Sequence, residues 1–124
     1  DDIMNISKDY YARAIELMEK KFPKSNYFVF SDFPKKAREK LQSEKAKIYF
    51  VNINNVKNKE HIDLWLMSQC KHHIISNSTF SWWGAWLSQN QSKLIIAPEI
   101  KIDGNNNIAW WGFDGLIPSN WIKL

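Results

Sequence analysis

Residues 76–81 read Ser-Asn-Ser-Thr-Phe-Ser, which puts four hydroxyls and one amide within six positions. The segment follows the apolar run His73-Ile74-Ile75 and runs into the aromatic stretch Phe80 to Trp86. It therefore falls where a strand gives way to a helix. The first N–H groups of a helix have no partner inside it, and the helix dipole favours an anion at that end. Ser78, Thr79 and Ser81 can add hydroxyl donors. Together these groups suit a phosphate. A plainer reading is N-capping, in which one Ser or Thr satisfies one N–H. One cap needs one hydroxyl and leaves three to explain. The chain has no Gly-Lys-Ser/Thr sequence, which excludes a P-loop.

Asp32 follows the run Tyr27-Phe28-Val29-Phe30. A carboxylate at such a strand end can accept from a ribose hydroxyl or from the N–H edge of a guanine. It can also cap the helix that Pro34 opens. Asp63 sits early in a helix and suits its positive dipole end. His72 and His73 are adjacent, so on a strand they point to opposite faces and cannot readily chelate one metal. With only His61 besides, no metal site is expected. Cys70, the single cysteine, excludes an internal disulfide and reads as a small packed residue. No second carboxylate stands at a glycosidase spacing from Asp32. Asn77-Ser78-Thr79 matches a glycosylation sequon, discounted because a glycan would cover the anion site. Trp82, Trp83 and Trp86 read as helix–sheet packing rather than as a sugar platform.

The elements that must position these groups follow from periodicity. Helices are predicted over 8–21 (with Ser7 as N-cap), 35–42, 60–70 and 80–89. Strands are predicted near 27–31, 48–51, 73–76 and 94–97. The third strand should end near Ser76, and its helix should begin within Ser78–Ser81. Residues 52–59 form a polar, Asn-rich loop. The tail from Glu99 looks irregular, with Trp121-Ile122 docking back onto the core. Apolar strands separated by helices indicate one α/β domain with a parallel sheet of three to four strands. Ligands of such sheets bind at the carboxyl ends of the strands, where both Asp32 and the Ser76–Ser81 segment fall. Trp82 and Trp86 share a helix face that can pin the helix against the sheet. Gly84 would let that helix approach a strand closely.

Composition supports a folded chain. Of 124 residues, 44% are hydrophobic and 24% charged, which excludes intrinsic disorder. No apolar run reaches the ~18 residues of a membrane span, and no signal peptide is expected from the opening residues. The net charge is +4, carried by lysines dispersed among acids and apolar residues. That pattern reads as solvated helix faces, and an anionic small ligand is expected rather than nucleic acid.

Longer stretches of the sequence are distinctive. Asp63-Leu64-Trp65-Leu66-Met67-Ser68-Gln69-Cys70 is followed by Ile74-Ile75-Ser76-Asn77-Ser78-Thr79-Phe80-Ser81-Trp82-Trp83-Gly84-Ala85-Trp86-Leu87. These closely resemble the signature of bacterial galactoside α-1,2-fucosyltransferases. Asp9-Tyr10-Tyr11, Phe28-Val29-Phe30-Ser31-Asp32, Ile96-Ala97-Pro98 and Ile117-Pro118 with Trp121-Ile122 fit too, so the resemblance covers nearly the whole chain. It implies the Rossmann-like, GDP-fucose-binding half of a GT-B-type glycosyltransferase that inverts the anomeric centre and needs no metal. By similarity Asp32 contacts the guanine. Ser78, Thr79, Phe80 and Ser81, beside Asn77, line the pyrophosphate and fucose. The implied acceptor is a galactose-containing glycan. The implied location is the bacterial cytoplasm, with peripheral membrane association of the full-length protein.

Two departures stand out. The family's acidic pair is here Asp32-Phe33, and its His-x-Arg-Arg-x-Asp motif is missing. The two arginines, Arg13 and Arg38, fall on surface-like helices. The chain is therefore expected to be a partial donor domain, either a fragment or a remnant. The acceptor domain and the first strand are expected to be absent, and no general base is identifiable. Two further readings compete: a non-catalytic nucleotide-sugar or glycan-binding module whose tail tryptophans stack on sugars, and a structural α/β domain with no ligand.

Overall fold

A computed structural model of the chain describes residues 6–44, 46–51, 57, 59–99 and 117–124. The polar loop at 52–59 and the irregular tail therefore fall largely outside the described residues. Two compact units divide the chain: Ser7–Asp63, and Leu64–Leu124 together with Asp1–Ile6.

In the Ser7–Asp63 unit, helix α1 spans Lys8–Lys21. Ser7 caps it as expected, its hydroxyl accepting from the Tyr10 N–H at 3.1 Å. Tyr10, Ala14, Ile15 and Met18 form the buried stripe at helical spacing. Strand β1 is Asn26–Val29, helix α2 is Pro34–Lys40 and strand β2 is Lys47–Phe50. Pro34 occupies the first turn of α2, where its missing N–H costs nothing. β1 and β2 pair in parallel, Tyr27 opposite Ile48 and Phe28 opposite Tyr49. The sequence suggests a buried first strand, but both strands alternate exposed and half-buried residues. Phe28 and Tyr49 stack at 5.5 Å on the open face, 53% and 50% exposed. Their contact to each other replaces cover from another element.

Helix α3, Lys59–Gln69, runs across the division between the units. The remaining elements are strand β3 (His73–Ile74), helix α4 (Thr79–Leu87), strand β4 (Ile95–Ala97) and strand β5 (Ile122–Lys123). β3, β4 and β5 form a parallel sheet with β4 in the centre. All three residues of β4 are buried, as a central parallel strand requires. The docking of Trp121-Ile122 takes the form of β5, with Leu124 N–H donating to the Ala97 carbonyl at 3.0 Å. The core here is Ile75, Ala85, Ile95, Ala97 and Trp121, with Trp82 and Ile117 against it.

One expectation is corrected. The described strands form two ladders, β1-β2 and β3-β4-β5, instead of one sheet of three to four strands. β3 supplies only two ladder residues, and both pair with β4. The parallel sense, required by the crossover helix α4, is as predicted.

Candidate functional site

The start of α4 lies where the sequence places it. Ile75 N–H still bonds the Ile96 carbonyl at 2.9 Å, so extended pairing persists to the edge of Ser76. Ser78 is the N-cap with extended backbone (ψ 145°), and its Oγ accepts from Ser81 N–H at 3.1 Å. Three hydroxyls form a knot around that cap. Ser78 Oγ donates to Ser81 Oγ at 2.9 Å, Ser76 Oγ donates to Ser78 Oγ at 3.3 Å, and Ser81 Oγ donates to the Ser78 carbonyl at 3.0 Å. Ser81 is buried, Ser76, Asn77, Ser78 and Phe80 are half-buried, and Thr79 is exposed. Of the three surplus hydroxyls, those of Ser76 and Ser81 are thus bonded within the knot, while Thr79 stands outside it. The N–H groups of Thr79 and Phe80, the first two helical residues, have no carbonyl partner within the helix. A diphosphate could take those two N–H groups, with the knot reorienting its hydroxyls toward added charge.

What holds this helix start is packing at three places. Ala85 is fully buried and Trp82 lies against the core, 6.0 Å from the Trp121 ring. Gly84 faces Met67 of α3, and a Cβ there would overlap the Met67 side chain. The glycine thus serves a helix–helix approach, where a helix–strand approach is expected from sequence. The C-terminal end of α4 is closed by Lys93, whose Nζ donates to the carbonyls of Ala85 (2.9 Å), Trp86 (3.3 Å) and Ser88 (2.8 Å). One ammonium satisfies three orphan carbonyls and meets the negative dipole end. Sequence reading missed Lys93 because it lies six residues beyond the helix; only its charge hinted at the role. Trp83 and Trp86 correct another expectation. They are 49% and 51% exposed, Trp86 stacking on Trp82 at 5.3 Å, so only Trp82 packs on the core. Three tryptophans within five helical residues cannot all face one side.

Behind this edge, His72 Nδ1 accepts from Leu94 N–H at 2.9 Å. His73 is buried and bonds the Cys70 backbone, while its Nε2 has no partner among the described residues. Burial, aided by the Lys93 charge, lowers its pKa to about 4, so the ring stays neutral. Cys70 is half-buried, and burial pushes its thiol up, away from the thiolate a nucleophile needs.

In the Ser7–Asp63 unit the acids are arranged differently. Asp32 is exposed just past β1. It does not cap α2: the N-cap is Phe33, without a side-chain cap bond, and Phe33 N–H donates to Ser31 Oγ at 3.0 Å. Asp63 is the buried acid, the single buried residue of α3. Its Oδ2 accepts from Lys59 Nζ at 2.9 Å, and its Oδ1 has no partner among the described residues. That hydrogen bond raises the Lys59 pKa, with charge from Asp63, Asp32 and Glu60 adding to it. Arg13 pairs with Asp9 in the same helix at 2.9 Å, and Arg38 lies over the Phe50 ring at 4.9 Å. Both stay on helix surfaces as expected.

A parallel α/β chain with an anion-compatible helix start after β3 matches one known family. The profile of glycosyl transferase family 11 covers residues 3–109. The chain belongs to that family. It is 39% identical over 116 residues to the O-antigen biosynthesis glycosyltransferase WbnK of Escherichia coli, covering 94% of this chain and 36% of the relative. It is also 39% identical over 92 residues to an alpha-1,2-colitosyltransferase of Escherichia coli, covering 72% of this chain and 30% of the relative. The chain thus spans about a third of the length of these curated relatives. No solved structure matches it. Among the described residues, no helix is long and apolar enough to cross a membrane.

Proposed function

We propose that this chain is the donor-binding part of an inverting, GT-B-type α-1,2-fucosyltransferase that moves L-fucose from GDP-fucose to the 2-hydroxyl of a galactoside, working in the bacterial cytoplasm without a metal. The observation that carries the reading is the start of α4. The N–H groups of Thr79 and Phe80, which have no acceptor inside the helix, sit beside the Ser76–Ser78–Ser81 hydroxyl knot on a helix fixed at both ends. Family membership and the α-1,2 linkage in one relative's name support it. In the reaction the acceptor hydroxyl attacks fucose C1 from the face opposite GDP. The bond from C1 to the phosphate oxygen breaks, GDP leaves with the electron pair, and the hydroxyl proton passes to a base outside the residues assigned here. The helix N–H groups stabilise the charge that develops on the diphosphate. Asn77, Ser78, Thr79, Phe80 and Ser81 bind the pyrophosphate and sugar, and Asp32 stands with the nucleoside.

Calorimetry on this chain tests the reading. GDP should bind more tightly than guanosine or UDP. Ser78→Ala should weaken GDP several-fold more than guanosine, because it removes the hydroxyl on which the knot converges. Equal losses for GDP and guanosine sink the phosphate cradle. Running GDP-fucose beside GDP-colitose decides the sugar, the second being suggested by the colitosyl relative. A second reading, a glycan-binding module, is favoured by the exposed rings of Trp65, Trp83 and Trp86. It predicts tryptophan quenching by galactosides with no response to GDP.

A further inference from the structure

A cavity of the Ser7–Asp63 unit takes no part in the nucleotide-sugar reading. Its volume is about 130 Å³, and it lies between the first half of α1 and the segment joining α2 to β2. Lys8, Ala12 and Ile15 form one wall, spaced one turn apart and so on one side of the helix. Lys40, Leu41, Gln42 and Ser43 form the other. The gap has a local cause. α2 buries no residue, and Ala12 presents a single methyl group where a longer side chain would close the space. Ser43 is held in its turn by accepting, through Oγ, from the Ala46 N–H at 3.1 Å.

The lining is chemically divided. The side chains of Ala12, Ile15 and Leu41 offer carbon and no hydrogen bond. Lys8 and Lys40 bring two ammonium groups, and Gln42 and Ser43 are neutral. Among the described residues no carboxylate lines the cavity. Asp9, next to Lys8, is held by Arg13 at 2.9 Å, and Glu16, Glu39 and Glu44 adjoin lining residues only along the chain. An inorganic anion would meet the ammonium groups but press its remaining oxygens against carbon. A neutral apolar molecule would fill the floor and leave both charges unused. Size narrows the choice further. A cavity of about 150 Å³ holds benzene, whereas drug-sized ligands need about 300 Å³ or more, so GDP and its sugar esters are too large for this site.

We propose that this cavity binds a small organic carboxylate. Its apolar body, of about the bulk of one benzene ring, lies against Ala12, Ile15 and Leu41, and its carboxylate stands at the mouth with the Lys8 and Lys40 ammonium groups. The lysine stems extend the apolar walls while their charged ends stay toward water. The site uses none of the residues assigned to the donor. Because the ligand bridges α1 and the connection from α2 to β2, it favours the folded form of this unit by mass action.

The test is calorimetry on this chain with benzoate, benzyl alcohol and inorganic phosphate. Benzoate should bind with a Kd of about 1 mM or tighter, and each of the other two about tenfold more weakly or worse. Ala12→Leu introduces a good helix former that fills the space. It should weaken benzoate about tenfold or more with an unchanged circular dichroism spectrum. Lys8→Gln should weaken benzoate several-fold and leave benzyl alcohol unaltered. Benzoate binding no tighter than either control, or undiminished in either variant, overturns the proposal. GDP added beforehand should leave the benzoate affinity unchanged. Competition between the two would place benzoate in the donor site and overturns the proposal as well. Should Ala12→Leu fail to fold, the Lys8→Gln result decides alone, since Lys8 is exposed and its exchange leaves the fold intact.

Discussion

The two units of this chain build their apolar cores differently. The described part of residues 64–124 centres its core on a strand: β4 is covered on both faces, and Ile75, Ile95 and Ile96 are the largest fully buried side chains, while Trp65, Trp83, Trp86 and Leu87 stay exposed. Residues 7–63 bury one stripe of α1 but leave Phe28, Phe33 and Tyr49 exposed around a two-stranded ladder. α2 buries nothing. The polar groups follow the same division. The serines of 76–81 are bonded to each other on a packed helix, while Asp32 is exposed and one oxygen of Asp63 has no partner among the described residues. The proposed diphosphate site thus rests on the unit with the β4-centred core, the foundation that rigid donors need.

Intrinsic probes can challenge this contrast. All seven tryptophans lie in 64–124, and all four tyrosines lie in 7–63. Tryptophan emission, excited where tryptophan alone absorbs, therefore follows residues 64–124, and the shorter-wavelength tyrosine emission follows residues 7–63. The largest effect is expected from Trp121→Ala, which empties a buried indole from the β3-β4-β5 core. It should cost about 3–5 kcal/mol in the tryptophan-monitored transition. A loss below about 1 kcal/mol would show that the core does not rest on this ring.

Acid should act next. The pKa of His73 is lowered in the folded state, mainly by burial, to about 4. Its stabilising effect is complete above about pH 6.5 and is lost as pH falls toward 4, because the unfolded chain takes up a proton that the folded one refuses. The loss should approach about 3 kcal/mol. His73→Gln should flatten that slope in the tryptophan signal. An unchanged slope would assign the acid sensitivity to other groups.

Gly84→Ala should cost about 1 kcal/mol net, overlap with Met67 outweighing the gain in helix propensity. The loss should shrink in a Met67→Ala background, a coupling that a double-mutant cycle measures directly. Additive losses would mean that α3 and α4 do not meet at this point. The smallest effect belongs to the lighter unit. Phe28→Ala, on the open face of β1, should cost less than about 1 kcal/mol in the tyrosine-monitored transition, because half of the ring is already in water. A loss comparable with that of Trp121→Ala would erase the contrast between the units.

Local rules carried far along this chain. The cap at Ser7, the proline at the start of α2, the helix bounds of α1 and α4, and the cap at Ser78 each depend on residues within one or two turns, so they are legible in sequence. The stretches Asp63–Cys70 and Ile74–Leu87, with shorter ones before and after them, likewise carry the resemblance to the family whose profile covers residues 3–109. Tertiary structure alone decided the rest. Whether β2 and β3 share a ladder depends on backbone distant in sequence. Which of three neighbouring tryptophans is buried depends on where the core lies, and only Trp82 meets it. Gly84 was recognisable as a close-approach residue, but that its neighbour is Met67 of α3 depends on how two helices cross. Asp63 shows the difference most sharply. Sequence placed it near a helix start, where any acid is at home. Only the fold buried it and gave one oxygen to Lys59, with no partner for the other among the described residues, because burial is set by every segment packed around a residue and not by its neighbours in the chain.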